Sequence, residues 1–162
     1  MPEVTSLSRA LKTAEGYCQL RLWDLAWAEL ELLEREDRAD PNVLLLSLGI
    51  YIGLQRWAPA AELAESLVQQ GCRRDSCFLL GACAIRQHRS AEEAKAFLLT
   101  GAQHLKTNPV FHFTLACLEA HLENLEAAKA SLSMAFKLNP GLKAAALQEK
   151  DLAPLWDSLG EE

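Results

Sequence analysis

Apolar residues recur along this chain at intervals of three and four, as in Trp23, Ala26, Leu30 and Leu33, the spacing that lines up one side of an amphipathic helix. No stretch alternates apolar and polar residues at the period of two that a half-buried strand requires. The pattern therefore predicts paired helices. First helices are expected near residues 6–20, 41–54, 76–88 and 109–122, and second helices near 23–36, 57–70, 91–105 and 125–138. Turn chemistry marks the boundaries. Asp40-Pro41 and Asn108-Pro109 each set a side-chain cap before a proline at the first helical position, where its missing N–H is not needed. Ser90 followed by Glu93 reads as a capping box, and Gly71 and Gly141 stand where helices should stop.

A step of 34 residues aligns like with like. Tyr17, Tyr51, Ile85 and Glu119 share one row, and Trp23, Trp57, Ala91 and Leu125 another. Leu30, Ala64, Leu98 and Leu132 form a third, Leu33, Leu67, Gly101 and Ala135 a fourth, and the row Ala26, Ala60, Ala94, Ala128 is uniform. Trp23 and Trp57, at the starts of second helices, read as packing anchors.

These residues resemble the tetratricopeptide repeat, a 34-residue helix-turn-helix unit with small and aromatic residues at fixed positions. The fourth period matches best, through Leu115-Ala116, Leu122, Leu125, Ala128, Leu132, Ala135 and Asn139-Pro140. Departures are local: Leu48-Gly49 falls one residue late, Leu80-Gly81 one early, and Gly101 stands where alanine is usual. The resemblance implies an all-α, right-handed solenoid forming a single domain over 1–162, with repeats at about 7–40, 41–74, 75–108 and 109–140 and a cap over 141–162. A solenoid end needs an atypical element to cover its apolar face. Lys143–Lys150 is expected to be that helix. The run Asp151-Leu152-Ala153-Pro154-Leu155-Trp156 resembles the ending of small bacterial tetratricopeptide proteins, and implies that Leu155, Trp156 and Leu159 fold back on the last repeat.

Composition narrows the partners. The chain has 162 residues, 50% of them apolar and 23% charged, as suits one packed domain, and a net charge of −6 offers no electrostatic footprint for nucleic acid or an anionic membrane. The longest apolar run, Val43–Leu54, is shorter than the roughly 20 residues a bilayer crossing needs, so it reads as a buried helix. The start, Met1–Val4, shows no secretory pattern, which sets the expectation of a cytoplasmic protein. Five cysteines, Cys18, Cys72, Cys77, Cys83 and Cys117, are odd in number and scattered through helical pattern, as reduced thiols acting as small hydrophobes would be. Glu29, Glu31, Glu34, Glu36 and Asp37, interleaved with Arg35 and Arg38, read as a solvated helix face.

In the tetratricopeptide family the first helices line a concave face, and the resemblance carries its groove positions onto Leu45, Leu46, Gly49, Ile52 and Gly53 of the second period. From the third and fourth come Leu79, Leu80, Cys83, Arg86, Phe113, Cys117 and His121. The carboxylate clamp of chaperone-binding members is absent: matching positions hold Leu11, Glu15, Leu46, Ser76 and Leu80, none able to fork onto a carboxylate. An apolar groove instead suits a partner protein segment with hydrophobic anchors, each worth about 1.5–3 kcal/mol when buried. The competing reading makes Leu45, Leu46, Leu79 and Leu80 interhelix core. An exposed apolar face also allows a homodimer beside a monomer.

Two further readings remain. Phe78–Cys83, Gly101-Ala102, Phe111–Phe113 and Ala116-Cys117 resemble the tetratricopeptide chaperones of type III secretion translocators, which cradle an apolar client. Cys83 and Cys117 fall one period apart at the same groove position, and with His121, four residues beyond Cys117 on the same helical face, they form a candidate thiol or metal site, although neither Cys-x2-Cys nor His-x3-His spacing supports zinc. His88 and His104 fall at helix ends, where imidazoles cap carbonyls. Without a phosphate loop, a nucleophile elbow or an H-E-x-x-H motif, the expectation is a noncatalytic scaffold with no cofactor.

Overall fold

In the computed structural model, which describes residues 5–160, the helices opening at Ser6, Pro41, Ala91 and Pro109 begin at a side-chain cap. The expectation placed on Met1–Val4 lies outside the described residues. Thr5 Oγ1 accepts the N–H of Ser8 and opens α1 (Ser6–Gln19). Asp40 accepts the N–H of Asn42 at 2.8 Å ahead of Pro41 and opens α3 (Pro41–Gly53). Asn108 does the same for Val110 and Phe111 ahead of Pro109, opening α8 (Pro109–His121). The other long helices are α2 (Trp23–Glu31), α4 (Trp57–Gln69), α5 (Asp75–His88), α6 (Ala91–Leu99) and α9 (Leu125–Leu138). Short helices α7 (Ala102–Leu105), α10 (Leu142–Ala146) and α11 (Trp156–Gly160) complete the chain, with 3-10 turns at Asp37–Ala39 and Lys150–Leu155. No strand occurs among the described residues, and no helix there is long and apolar enough to cross a membrane.

The turn inside each helix pair shows the 34-residue step in the backbone. Arg21, Gln55 and Glu123 all adopt left-handed φ, at 58°, 56° and 63°. Each lets the next N–H reach back to close the helix end: Leu22 to Tyr17 O, Arg56 to Tyr51 O and Asn124 to Glu119 O. The equivalent Arg89 has φ −125°, because Ser90 there opens α6 as an N-cap whose hydroxyl accepts from Glu93 N–H at 3.1 Å. Only half of the expected capping box forms: the Glu93 carboxylate lies 3.5 Å from Arg89 instead of returning to the Ser90 N–H.

Packing follows the repeat rows. Ala26, Ala60, Ala94 and Ala128 are each wholly buried, and so, within one per cent, are Ala14, Leu48, Ala82 and Ala116 one turn pattern away. Small residues at these crossings let backbones approach closely. Leu48 keeps its row; the neighbouring Gly49 faces open space, so the one-residue offset read in the sequence shifts no helix. Gly81 lies against Phe97 and Ala64, where a side chain would collide. Consecutive first helices touch one another, α1 with α3, α3 with α5 and α5 with α8, while each pairs with its own second helix. Three apolar clusters result, one over α1–α3, a central one from α3 to α8, and one joining α8 and α9 to the tail.

Three second-half elements depart from the periodic reading. Helix α2 ends at Glu31, not near 36, and the acidic run beyond it is not helical face: Arg38 turns back to donate to the carbonyls of Leu33, at 2.8 Å, and Glu31. The helix expected over 91–105 breaks at Thr100-Gly101, where the Phe78 ring occupies the space a side chain at Gly101 would need and Thr100 Oγ1 donates to Phe97 O. The capping helix spans only Leu142–Ala146. Gly141 adopts ordinary helical angles at its start, so the stop after α9 comes from Asn139-Pro140. The tail nonetheless folds back: Leu152 and Leu155 are buried, Trp156 Nε1 donates to Ala146 O at 2.9 Å, and Leu159 packs beside them.

Candidate functional site

Helices α5 and α8 run side by side, so residues one 34-step apart face each other across their junction. Leu79 and Cys83 from α5 and Phe113 and Cys117 from α8 line a cleft of about 240 Å³, together with the buried Ala82 and Leu118. Its polar end is closed by the tail, which contributes Glu149 and Asp151. Asp151 binds Arg86 through Oδ2–Nη1 at 2.6 Å, and its Oδ1 lies 3.3 Å from His121 Nδ1. Arg86 Nη2 is also 3.3 Å from that Nδ1. A protonated Nδ1 donates to Asp151, and an unprotonated one accepts from Arg86, so either tautomer completes a three-residue bridge from α5 through α8 to the tail. Burial works to raise the Asp151 carboxyl, but the Arg86 and His121 hydrogen bonds and charges outweigh it and hold the pKa below the ordinary value.

Of the residues the sequence singled out, Leu79, Cys83, Arg86, Phe113 and Cys117 come together in this cleft. His121 lines an adjoining hollow with Arg86, Gln87 and Arg89. The second-period residues do not join them. Leu45 packs on the central cluster and lines a hollow beside Leu67 and Cys72, and Leu46 packs on the N-terminal cluster, where Leu7, Ala10 and Leu11 also lie. Ile52 and Leu80 are half-buried against the central cluster, and Gly49 faces outward. Gly53 lies directly beneath the Trp23 indole, so it is a packing position and not a groove position. Glu149 and Asp151 were not foreseen, because they stand outside the repeat and no periodic signal marks them; the acidic residue opening the tail run was the available hint.

The thiols here are poorly suited to nucleophilic or ligand chemistry. Burial pushes Cys117 up to about 12, with Glu149 and Asp151 adding to the effect and Arg86 opposing it. Desolvation also raises Cys83, again against Arg86. Both therefore stay protonated near neutral pH, whereas the thiolate is the reactive and metal-binding form. Among the described residues no three His, Cys, Asp or Glu side chains converge as metal ligands. All five cysteines are unpaired, although the Cys72 and Cys77 sulfurs approach to 2.7 Å across the α4–α5 turn.

What the arrangement offers is an apolar slot with a fixed polar end. Arg86 is the lining cation, and Asp151 already occupies it, so the slot presents no free guanidinium for a carboxylate. No family model, curated protein or solved structure matches this chain.

Proposed function

We propose that the helix pairs form a right-handed solenoid of four tetratricopeptide-type repeats with a C-terminal cap, and that the chain is a noncatalytic scaffold whose α5–α8 cleft receives a segment of a partner protein. The observation that carries this reading is the pairing of Leu79 with Phe113 and Cys83 with Cys117, matching positions of successive repeats, around one open apolar cleft. A cleft of this kind takes one or two hydrophobic side chains of an extended or helical segment, with the Arg86–Asp151 pair bounding one end. Five unpaired thiols support residence in a reducing compartment such as the cytoplasm.

The test compares protein captured from native lysate by wild type, by Leu79→Asp/Phe113→Asp, and by Leu99→Asp as an exposed control outside the cleft. Circular dichroism first confirms that all three fold. A partner held by wild type and the control and lost with the cleft variant supports the reading. Equal capture by all three overturns it and moves binding to another surface.

A further inference from the structure

The early end of α2 leaves a second, larger pocket far from the cleft. Between α2 and α4, floored by α3, lies a cavity of about 460 Å³, within the size range of side-chain and small-ligand sites. Its walls are apolar, from Leu30, Val43, Leu44, Pro59 and Leu63, and the Trp27 and Tyr51 rings pack there, tilted by 37° with centroids 4.9 Å apart. Ser47 also lines it. This residue is only 8% exposed, its hydroxyl makes no hydrogen bond within the protein among the described residues, and the hydroxyl is not sealed off but reached from the pocket. Opening onto the pocket, the hydroxyl is free to bond water or a polar group that enters.

The rim decides the charge of that group. Glu31 and Glu62 are both exposed carboxylates at the mouth. Arg38, the cation lining the pocket, is bound to the carbonyls of Leu33 and Glu31, which it caps. The hydrogen-bonding groups left for an occupant are the two carboxylates, which only accept, and the Ser47 and Tyr51 hydroxyls, which accept or donate. An anion meets the two carboxylates there, and a purely apolar occupant displaces water from the Ser47 hydroxyl without replacing its hydrogen bond. A guanidinium suits the site better than an ammonium, because its plane lies against aromatic rings, its five donors spread over several acceptors, and it is more weakly hydrated. We propose that this pocket binds an arginine side chain of a partner protein, its carbon stem between Leu44 and Leu63 and its guanidinium among Ser47, Glu31 and Glu62. This site does not depend on the cleft reading.

The probe is Nα-acetyl-arginine N-methylamide, titrated into the full chain and followed by amide chemical shifts, with the citrulline and lysine counterparts in parallel. Saturable shifts at Ser47, Tyr51 and Leu63 are expected with the arginine probe, and citrulline, which has the same shape without the charge, should bind about tenfold more weakly, a difference of about 1.4 kcal/mol. Ser47→Ala, which favours the helix by propensity, and Glu62→Gln, on the surface, should both fold, as checked by circular dichroism, and each weaken the arginine probe several-fold. Absence of saturable shifts overturns the proposal. So does citrulline binding as tightly as arginine, which would make the pocket merely apolar, or lysine binding as tightly, which would make it a general cation site.

Discussion

Two glycines in α3, four residues apart, carry opposite consequences. A methyl group at Gly53 would overlap the Trp23 indole, whereas one at Gly49 meets nothing within 4 Å. Gly53→Ala is expected to cost roughly 1–3 kcal/mol through forced movement of a large ring. Gly49→Ala is expected to gain up to about 1 kcal/mol, because the unfolded chain loses freedom and the helix interior gains a better former. Thermal melts of the two variants should move in opposite directions, and equal shifts would contradict the packing described. In the sequence both glycines looked alike, as open groove positions, because the Trp23 ring that separates them arrives from another helix. The same limit explains Glu119. Its row offered tyrosine or isoleucine, yet it is a buried carboxylate held by Lys95 at 2.8 Å and Asn124 at 2.9 Å, partners that lie off the repeat row.

Among elements, the helix pairs were legible because their starts are written locally, in Asp40-Pro41, Asn108-Pro109 and Ser90, and their faces periodically. Their ends were less so. Helix α2 stops where Arg38 reaches back to its last carbonyls, and α6 stops where Phe78 presses on Gly101, contacts made by residues beyond the element itself. The turns within pairs carry no glycine, so nothing in composition announced their left-handed residues. That conformation costs a non-glycine residue about 1–2 kcal/mol, partly offset because glycine frees the unfolded chain by about 0.4–1 kcal/mol. Gln55→Gly, at φ 56° and exposed, is thus expected to stabilise by about 0.5 kcal/mol and raise the melting temperature by a few degrees. An unchanged or lower value would show that the glutamine contributes more than its backbone angle.

For the molecule as a whole, the tail does two jobs: Leu152 and Leu155 cover the last helix pair, and Asp151 ties that cover to Arg86 two helix pairs' starts away in space and far upstream in sequence. The covering role was readable from the apolar run, and the tie was not, since a lone aspartate outside the repeat looks like any solvated acid. The tie is pH-dependent. Its carboxyl titrates below the ordinary 3.8 in the folded protein, so the unfolded state takes up protons first. The contribution is complete above the ordinary value and is lost as pH falls through it toward the lowered folded value. Asp151→Asn should therefore lower the melting temperature at pH 6, with the gap to wild type closing below about pH 4; a gap constant down to pH 3 would mean the carboxylate charge is not what matters.

That same tie sets an order of events during synthesis. A chain made only as far as His121 contains the residues of both long walls of the cleft but lacks the carboxylate that faces Arg86 and closes its polar end. The polar end of the cleft is therefore complete only when residues 149–151 have been added, and on the proposed scaffold reading a partner that contacts that end requires the finished chain.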